Sequence, residues 1–217
     1  DRAPITETTN KLEEQRELEK LQRDAFIPET AQRKELTPLK AQLEAIAVKY
    51  PEIQGSVFFV ELDKGLFLNW GGDTSFPAAS TIKVPILLAL FQDIDEGKVH
   101  LDEKLIVKPE LIGSGSGSIQ YEKPGREYTI LEVATKMIAI SDNTATNMLI
   151  DRLGGSQALN QRFVEWGLQA TVIRNILPDL EGTNTTTAKD LSNIMLTIEH
   201  GKSVSLKSRD RMLHILK

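Results

Sequence analysis

The sequence contains no cysteine, which removes several kinds of chemistry from consideration. Disulfide bonds, thiolate nucleophiles and cysteine-based metal sites are all excluded. Because a protein without cysteine folds equally well in reducing and oxidising surroundings, this absence does not assign a redox compartment. Histidine is scarce too, with three residues in 217 and no His-Glu-x-x-His pair. A zinc hydrolase site is therefore not expected, and no metal is predicted.

Long hydrophobic runs and an excess of basic residues are also missing. No apolar stretch reaches the roughly 18 residues of a membrane span, and no signal-peptide pattern opens the chain. The net charge of −5 argues against nucleic acid as a partner, because phosphate binding requires a basic surface. The hydrophobic share of 40% and charged share of 26% indicate one compact domain, or one domain plus an extension.

The amino-terminal part of the chain differs from the rest in composition. Residues 12–23 are mostly charged, with leucines at loose spacing, which is typical of a solvated helix or stalk rather than of a core. From Thr37 onward, apolar residues recur at helical spacing. We therefore divide the chain into a charged helical extension or spacer, residues 1–36, and a globular domain, residues 37–217.

The domain pattern predicts one helix, two strands and then many helices. The strands span about residues 55–62 and 66–70 and form a hairpin. A buried central helix follows over 76–91, and later helices are expected to begin at the capping box Thr129 to Glu132, at Ser156, at about Ala188 and at Ser208. The repeat Gly113-Ser-Gly-Ser-Gly-Ser118 lacks the surroundings of a phosphate loop and is predicted to be a flexible loop.

The pair Ser80 and Lys83 is the first candidate for catalysis. A spacing of three places both side chains on one helix face, and an apolar helix can lower the pKa of the lysine enough for it to accept the proton of the serine. Ser80 also lies near the helix amino terminus, whose dipole favours negative charge. Taken alone, the pair is a weak signal, and a capping serine with an ordinary lysine is the more common meaning of this spacing.

The tripeptide Ser141-Asp142-Asn143 is the second candidate, 61 residues after Ser80 and in a break between two helices. Ser141 can pass a proton to a leaving group, and Asn143 can bind a substrate amide. The alternative is that Asp142 or Asn143 simply caps the next helix.

Together, these motifs resemble the class A serine β-lactamases and the penicillin-binding proteins. The resemblance runs from about Gly55 to Lys217. It implies an α/β (α+β) fold of the β-lactamase/transpeptidase type, with helices packed on an antiparallel sheet and an all-helical subdomain. The Lys-Thr/Ser-Gly strand of the family is absent from the sequence, so we expect a chain without its last strands, or another chain that supplies them.

A departure from the class A pattern concerns the loop whose glutamate activates the water that releases the acyl group. Alignment on Pro178 and Leu180 places Leu177 where that glutamate stands, and Glu181 where the family has asparagine. Leucine cannot move a proton, so release of a bound penicillin is expected to be slow unless Glu181 substitutes. This loop pattern resembles that of the cyanobacterial penicillin-binding proteins of type A, which are D,D-peptidases.

The resemblance thus implies a D,D-peptidase that acts on D-Ala-D-Ala peptidoglycan stem peptides through a Ser80 acyl-enzyme and is acylated by β-lactam antibiotics. Lys83 and Ser141 would be catalytic, and Asn143 would bind substrate, with no cofactor. An extracytoplasmic, periplasmic location is expected, with the extension as a spacer from a membrane anchor outside the chain. The alternatives are a β-lactamase that uses Glu181, a penicillin sensor or cell-wall-binding module without catalysis, and a helical scaffold without acylation.

Overall fold

The computed structural model describes residues 34–201 and 203–217. These residues form seven α-helices and seven short β-strands. The helices are α1 (Thr37–Lys49), α2 (Lys83–Asp95), α3 (Ile130–Ala139), α4 (Asn143–Arg152), α5 (Gly155–Glu165), α6 (Ala188–His200) and α7 (Leu206–Ile215). The strands are β1 (Lys34–Glu35), β2 (Val57–Val60), β3 (Leu66–Trp70), β4 (Phe76–Pro77), β5 (Lys104–Ile106), β6 (Glu127–Thr129) and β7 (Thr185–Thr186).

The predicted charged extension lies almost entirely outside the described residues and stays a prediction. Of its residues 34–36, which the structure describes, Lys34–Glu35 form β1 and pair in parallel with β3. The sequence analysis assigned these two residues to the extension, whereas the structure joins them to the sheet of the domain.

The predicted hairpin of β2 and β3 is present, with Phe59 opposite Leu68 in an antiparallel register. Gly65, at φ +66°, ends the tight turn between the strands, a conformation that glycine adopts without strain. The expectation of only two strands was wrong. The other five strands have two or three residues each, too few to show the alternation that marks a strand in a sequence.

Helix α2 is the centre of the core, as its apolar sequence predicts. The predicted start at residue 76 was wrong, since strand β4 and a 3₁₀ turn over Ala79–Ile82 precede the helix. Its side chains Ile86, Leu87, Leu90 and Phe91 are each at most 1% exposed. All five of the later helices, α3 to α7, pack against it. Burial of each such side chain contributes about 2 kcal/mol, so α2 is the fixed element on which the site is built.

The helix boundaries agree with the sequence where the signal is local. The capping box of α3 is formed, because Thr129 Oγ1 accepts from the N–H of Glu132, and the Glu132 carboxylate accepts from the N–H of Thr129. The predicted cap at Ser156 was wrong, since Gly154 in the left-handed conformation precedes α5. Helix α7 begins at Leu206 after a cap by Ser205, not at Ser208.

The fold is thus the predicted mixed α/β architecture, with helices packed around α2 and on a small sheet of order β1-β3-β2. Among the described residues, no helix is long and apolar enough to cross a membrane.

Candidate active site

Ser80 lies in a short 3₁₀ turn, Ala79–Ile82, that leads directly into α2. Strand β4 delivers the chain to this turn and is fixed by its pairing with β7. Ala79 has a positive φ of +45°, which is unfavourable for a residue with a Cβ and marks a sharp change of direction just before the serine. The side chain of Ser80 is exposed, so its hydroxyl is accessible to a substrate.

Lys83 is buried beneath Ser80, with 2% of its surface exposed. Its Nζ lies 3.2 Å from Ser80 Oγ, 2.8 Å from Ser141 Oγ and 2.7 Å from the backbone carbonyl of Ser141. The two hydroxyls are themselves 2.8 Å apart. The amine and the two hydroxyls therefore form a triangle in which each atom is within hydrogen-bond distance of the others.

Burial has a direct electrostatic consequence for Lys83. Removal from water disfavours the ammonium form and lowers the pKa of Lys83 to about 8, although the nearby negative charge of Asp142 opposes the shift. Within the described residues no carboxylate forms an ion pair with the amine. The direction of this pKa shift agrees with the sequence analysis, and a neutral amine is the form that can accept a proton.

Ser141 reaches Lys83 because the chain bends sharply between α3 and α4. Its φ of +54° is positive, a conformation that costs a residue with a Cβ about 1 kcal/mol or more. In this conformation both the carbonyl and the hydroxyl of Ser141 are hydrogen-bonded to the amine of Lys83. The structure thus places the two motifs, 61 residues apart in the sequence, in one site.

The amide of Asn143 has a defined orientation. Its Oδ1 accepts from Lys83 at 3.0 Å, and its Nδ2 donates to the carbonyl of Ser114 at 2.8 Å. An amide nitrogen carries two hydrogens, and the second N–H of Asn143 donates to no residue in the part of the chain that the structure describes. This is the arrangement that binding of a substrate carbonyl by Asn143 requires.

Asp142 has a role that the sequence analysis gave only as an alternative. Its Oδ1 accepts from the N–H of Ala145 and caps α4, whereas its Oδ2 accepts from the N–H groups of Ser118 and Ile119. The predicted flexible loop at 113–118 is therefore attached to the site by hydrogen bonds. Gly117 has φ +101°, and a Cβ there would lie 2.2 Å from Cγ of Asp142, so only glycine fits.

Asn147 is a second residue that the sequence analysis missed. It is fully buried one turn after Asn143 on α4. Its amide donates to the carbonyls of Leu111 and Leu177 and accepts from the N–H of Leu177 at 2.8 Å. One side chain thus joins the turn Pro109–Leu111, which precedes the glycine-rich loop, and the loop around Leu177 to the helix that carries Asn143. The only sequence signal was a polar residue at helical spacing from Asn143, which does not reveal these long-range partners.

The loop around Leu177 carries no carboxylate at the position that the sequence analysis aligned with the deacylating glutamate. Leu177 is 5% exposed and belongs to the hydrophobic core cluster. Glu181 is exposed, and its carboxylate makes no hydrogen bond or ion pair with any residue of 34–201 or 203–217. Burial alone would raise the pKa of Asp179, but hydrogen bonds from Asn184 N–H and Thr183 Oγ1 outweigh it and lower the pKa. The Asp179 carboxylate is thereby committed to holding the loop.

The arrangement supports transfer of an acyl group to Ser80 and transfer of protons within the triangle. No group of three or more histidine, aspartate and glutamate side chains in the described parts of the chain is placed to hold a metal ion.

Comparison with known proteins places the geometry in context. A family model described as the beta-lactamase enzyme family matches residues 38–217. The beta-lactamase BRO-1 of Moraxella catarrhalis is 32% identical over 114 residues, which cover 52% of this chain and 36% of that protein. A beta-lactamase of Rhodobacter capsulatus is 27% identical over 185 residues, which cover 81% of this chain and 62% of that protein. The chain therefore spans less than two thirds of the length of these curated relatives.

Solved structures of similar proteins share the fold of this chain. The structure of PBP-A is 53% identical, with a TM-score of 0.83 and coverage of 84% of this chain and 69% of PBP-A. A leucine-to-glutamate mutant of PBP-A, solved as an acyl-enzyme complex with penicillin G, has a TM-score of 0.82 at the same identity.

Proposed function

Because the chain belongs to the beta-lactamase enzyme family, we propose that this serine hydrolase is a penicillin-binding D,D-peptidase with Ser80 as its nucleophile. The observation that carries the proposal is the triangle of Lys83 Nζ, Ser80 Oγ and Ser141 Oγ, with all three distances at or below 3.2 Å. A serine hydroxyl is a weak nucleophile unless a neighbouring base takes its proton, and here the buried amine is that base.

Acylation begins with attack of Ser80 Oγ on the carbonyl carbon of the penultimate D-Ala. The new C–O bond forms while the hydroxyl proton moves to neutral Lys83, directly or through Ser141. The carbonyl oxygen becomes an oxyanion, and the backbone N–H of Ser80, at the amino-terminal end of the turn before α2, is the proposed donor to it.

Collapse of the tetrahedral intermediate breaks the C–N bond to the terminal D-Ala. The leaving amine requires a proton, and Ser141 donates it and regains one from the Lys83 ammonium 2.8 Å away. The free N–H of Asn143 holds the carbonyl of the preceding peptide unit during the reaction.

The choice of peptidase over β-lactamase rests on Leu177 and Glu181. A buried leucine cannot activate the water that hydrolyses a penicilloyl ester, so the adduct with a β-lactam should persist. The rival β-lactamase reading needs Glu181 as the base, yet this side chain is exposed and unattached within the described residues. Loss of a positioned base slows the step by about 10²–10⁴-fold.

The substrate and the location are part of the proposal. A D,D-peptidase acts on D-Ala-D-Ala peptidoglycan stem peptides, and such a substrate lies outside the cytoplasm, so we place the protein there. Capture of β-lactams is supported by PBP-A, a mutant of which forms an acyl-enzyme with penicillin G.

Intact-protein mass spectrometry after mixing the chain with penicillin G tests the nucleophile. We expect a mass increase equal to one whole penicillin molecule, because ring opening expels no leaving group. The adduct should persist for many minutes, and the Ser80→Ala variant should gain no mass. The wild-type chain should release free D-Ala from a D-Ala-D-Ala peptide, and the Ser80→Ala variant should not.

Three outcomes would contradict this function. An adduct on Ser80→Ala would place the nucleophile elsewhere, and rapid steady hydrolysis of penicillin by the wild-type chain would favour the β-lactamase. An adduct without any release of D-Ala would favour the penicillin sensor.

A further inference from the structure

The glycine-rich loop, residues 113–118, lies against the start of α4, and none of its side chains takes part in the proposed acylation. Its glycines alternate with serines, and the three serines are exposed. The glycines face inward. A Cβ on them would meet Asn143 and Asn147 from Gly113, Asn143 from Gly115, and Asp142 from Gly117. The positions that face the site are therefore those without a side chain.

The loop is held in place by hydrogen bonds to its carbonyl groups. Asn143 donates from its backbone N–H to the Ser116 carbonyl at 3.0 Å and from Nδ2 to the Ser114 carbonyl at 2.8 Å. The side-chain amide of Gln120 donates to the carbonyls of the two glycines that flank Ser116, at 2.6 and 2.9 Å. Four successive carbonyls are thus bonded, and a shift of the loop away from Asn143 would break several of these bonds.

Gly115 lies directly beside the side-chain amide of Asn143. A Cβ at position 115 would lie 3.4 Å from Asn143 Nδ2, and no other atom of the described residues outside 114–116 would come within 4 Å of it. Gly115 is itself exposed. The space next to the amide nitrogen is therefore open to a ligand from solvent.

This nitrogen carries the N–H of Asn143 that donates to no residue in the described ranges. An acceptor oxygen that binds this N–H must come within about 2.9 Å of Nδ2. A side chain at position 115 would pack against the same small nitrogen and compete with the acceptor for its surface. A longer side chain would cover more of that surface, because the fixed loop cannot withdraw.

From this geometry we propose that Gly115 is a specificity-determining residue. The side chain that it lacks leaves the space through which an amide carbonyl of the substrate reaches Asn143. The ligand class is therefore an N-acylated one, in which an acyl group is joined through an amide close to the carbonyl under attack. This assignment rests on the proposed function and names the part of the substrate that the loop admits.

The test compares two penicillins on the full chain. Penicillin G carries an acylamino side chain, whereas 6-aminopenicillanic acid has the same ring system with a free amine in its place. The measured quantity is the ratio of their second-order rate constants for acylation, followed by intact mass. We expect penicillin G to react faster with the wild type. The ratio should fall about tenfold in Gly115→Asn, as expected for loss of one hydrogen bond to the substrate, and by less in Gly115→Ala.

Backbone strain is separated from loss of space in two ways. Gly115 has φ +94°, so each variant is strained, but strain slows both penicillins alike and cancels from the ratio. Asparagine also adopts positive φ more readily than alanine. Strain alone would therefore make Gly115→Ala the slower variant, which is the reverse of the order expected from space.

Gly125→Ala is the matched control, because Gly125 has φ +91° and nothing lies within 4 Å of the position of its Cβ. It should keep the wild-type ratio. Acylation by 6-aminopenicillanic acid shows that a variant is folded, and Gly115→Ala serves if Gly115→Asn does not fold.

A wild-type ratio near one, an unchanged ratio in the Gly115 variants, or an equal fall in Gly125→Ala would overturn the role of Gly115 while acylation of Ser80 continued. Failure of both penicillins to acylate the wild-type chain would instead overturn the proposed function and the assignment that rests on it. The two failures are therefore distinguishable.

Discussion

At the scale of single residues, the central feature is an amine surrounded by oxygen atoms but without a bonded carboxylate. Lys83 contacts Ser80, Ser141 and Asn143, and desolvation lowers its pKa to about 8. In the neutral form it takes a proton, and in the charged form it returns one. Both steps of the proposed acylation need a group whose two forms coexist near the working pH.

The first prediction is the pH dependence of acylation. A lowered pKa means that the neutral amine predominates above about pH 8 and the ammonium below it. The second-order rate constant for acylation by penicillin G should rise tenfold per pH unit below about pH 8 and level off above it. Stopped-flow or mass-spectrometric rates between pH 5.5 and 9.5 measure this.

Two variants of Lys83 serve as controls. Lys83→Ala removes the base and should slow acylation by about 10²–10⁴-fold. Lys83→Arg keeps a positive charge but cannot be neutralised, so it should be as slow. A flat profile between pH 6 and 9, or an active arginine variant, would show that the lysine is not the base.

The second prediction concerns Leu177. The Leu177→Glu variant introduces a carboxylate at the loop position aligned with the deacylating glutamate of class A enzymes, where Asn147 fixes the backbone. We expect hydrolysis of the penicilloyl ester to accelerate by about 10-fold or more. The decay of the covalent adduct, followed by intact mass, gives the rate.

Glu181→Gln is the companion variant, because Glu181 is exposed and its side chain forms no hydrogen bond or ion pair with any residue that the structure describes. Its deacylation rate should equal that of the wild type. An unchanged rate in Leu177→Glu would contradict the alignment, and a strong loss in Glu181→Gln would support the β-lactamase reading.

At the scale of elements, the amino-terminal half of α4 holds its neighbouring loops in place. Asp142 binds the glycine-rich loop, and Asn147 binds Leu111, in the turn just before that loop, and Leu177. The buried oxygens and nitrogens of these side chains are all hydrogen-bonded, as buried polar groups must be. The loops at the rim of the site are thereby tied to the helix that carries Asn143.

The third prediction tests this attachment through Gly117. Gly117→Ala combines an unfavourable positive φ with a Cβ 2.2 Å from Cγ of Asp142, so the loop must move away. Gly125→Ala has a similar φ of +91° but nothing within 4 Å of the new Cβ. We expect both variants to lose about 1 kcal/mol from backbone strain, whereas only Gly117→Ala should lose more and also acylate slowly.

Chemical unfolding and the rate of acylation measure the two effects separately. Equal stability and equal acylation rates in the two alanine variants would mean that the contact with Asp142 does not position the loop.

The elements that the sequence predicted correctly are those with local signals. The capping box at Thr129 and the glycine stop at Gly201 depend on neighbouring residues only. The start of α7 is less clear from the sequence, because the Asp95 carboxylate accepts from the N–H and hydroxyl of Ser205 and also from the hydroxyl of Ser208. Only the folded chain shows that Ser205 is the cap, with its hydroxyl accepting from the N–H of Ser208.

At the scale of the whole molecule, the same distinction applies to the site. The motifs at Ser80 and Ser141 each have recognisable spacing, and the structure brings them together as predicted. The support from Asp142 and Asn147 was not predicted, because it depends on hydrogen bonds across about 20 to 40 residues of sequence. In the sequence, these two residues do not differ from ordinary polar residues of a helix, because their loop partners are known only from the folded structure.

The fourth prediction concerns how the helices stay assembled around α2. Arg162 of α5 forms an ion pair with Asp93 of α2 at 2.8 Å and also donates to the carbonyl of Ala89. The Asp93 side chain is only 7% exposed. Removal of the arginine leaves the buried carboxylate with only the exposed Lys98, at 4.0 Å, as a cation nearby. Loss of one partner of a buried ion pair costs about 3–5 kcal/mol. Arg162→Met should therefore unfold at a markedly lower urea concentration.

Arg152→Met is the matched control, because Arg152 pairs with Glu103, whose side chain is 31% exposed and can return to water. We expect its loss of stability to be about 1 kcal/mol. The double variant Arg162→Met with Asp93→Asn should recover part of the stability, since the buried group no longer carries a charge. Equal losses in the two arginine variants, or no recovery in the double variant, would show that α5 is held to α2 by apolar packing alone.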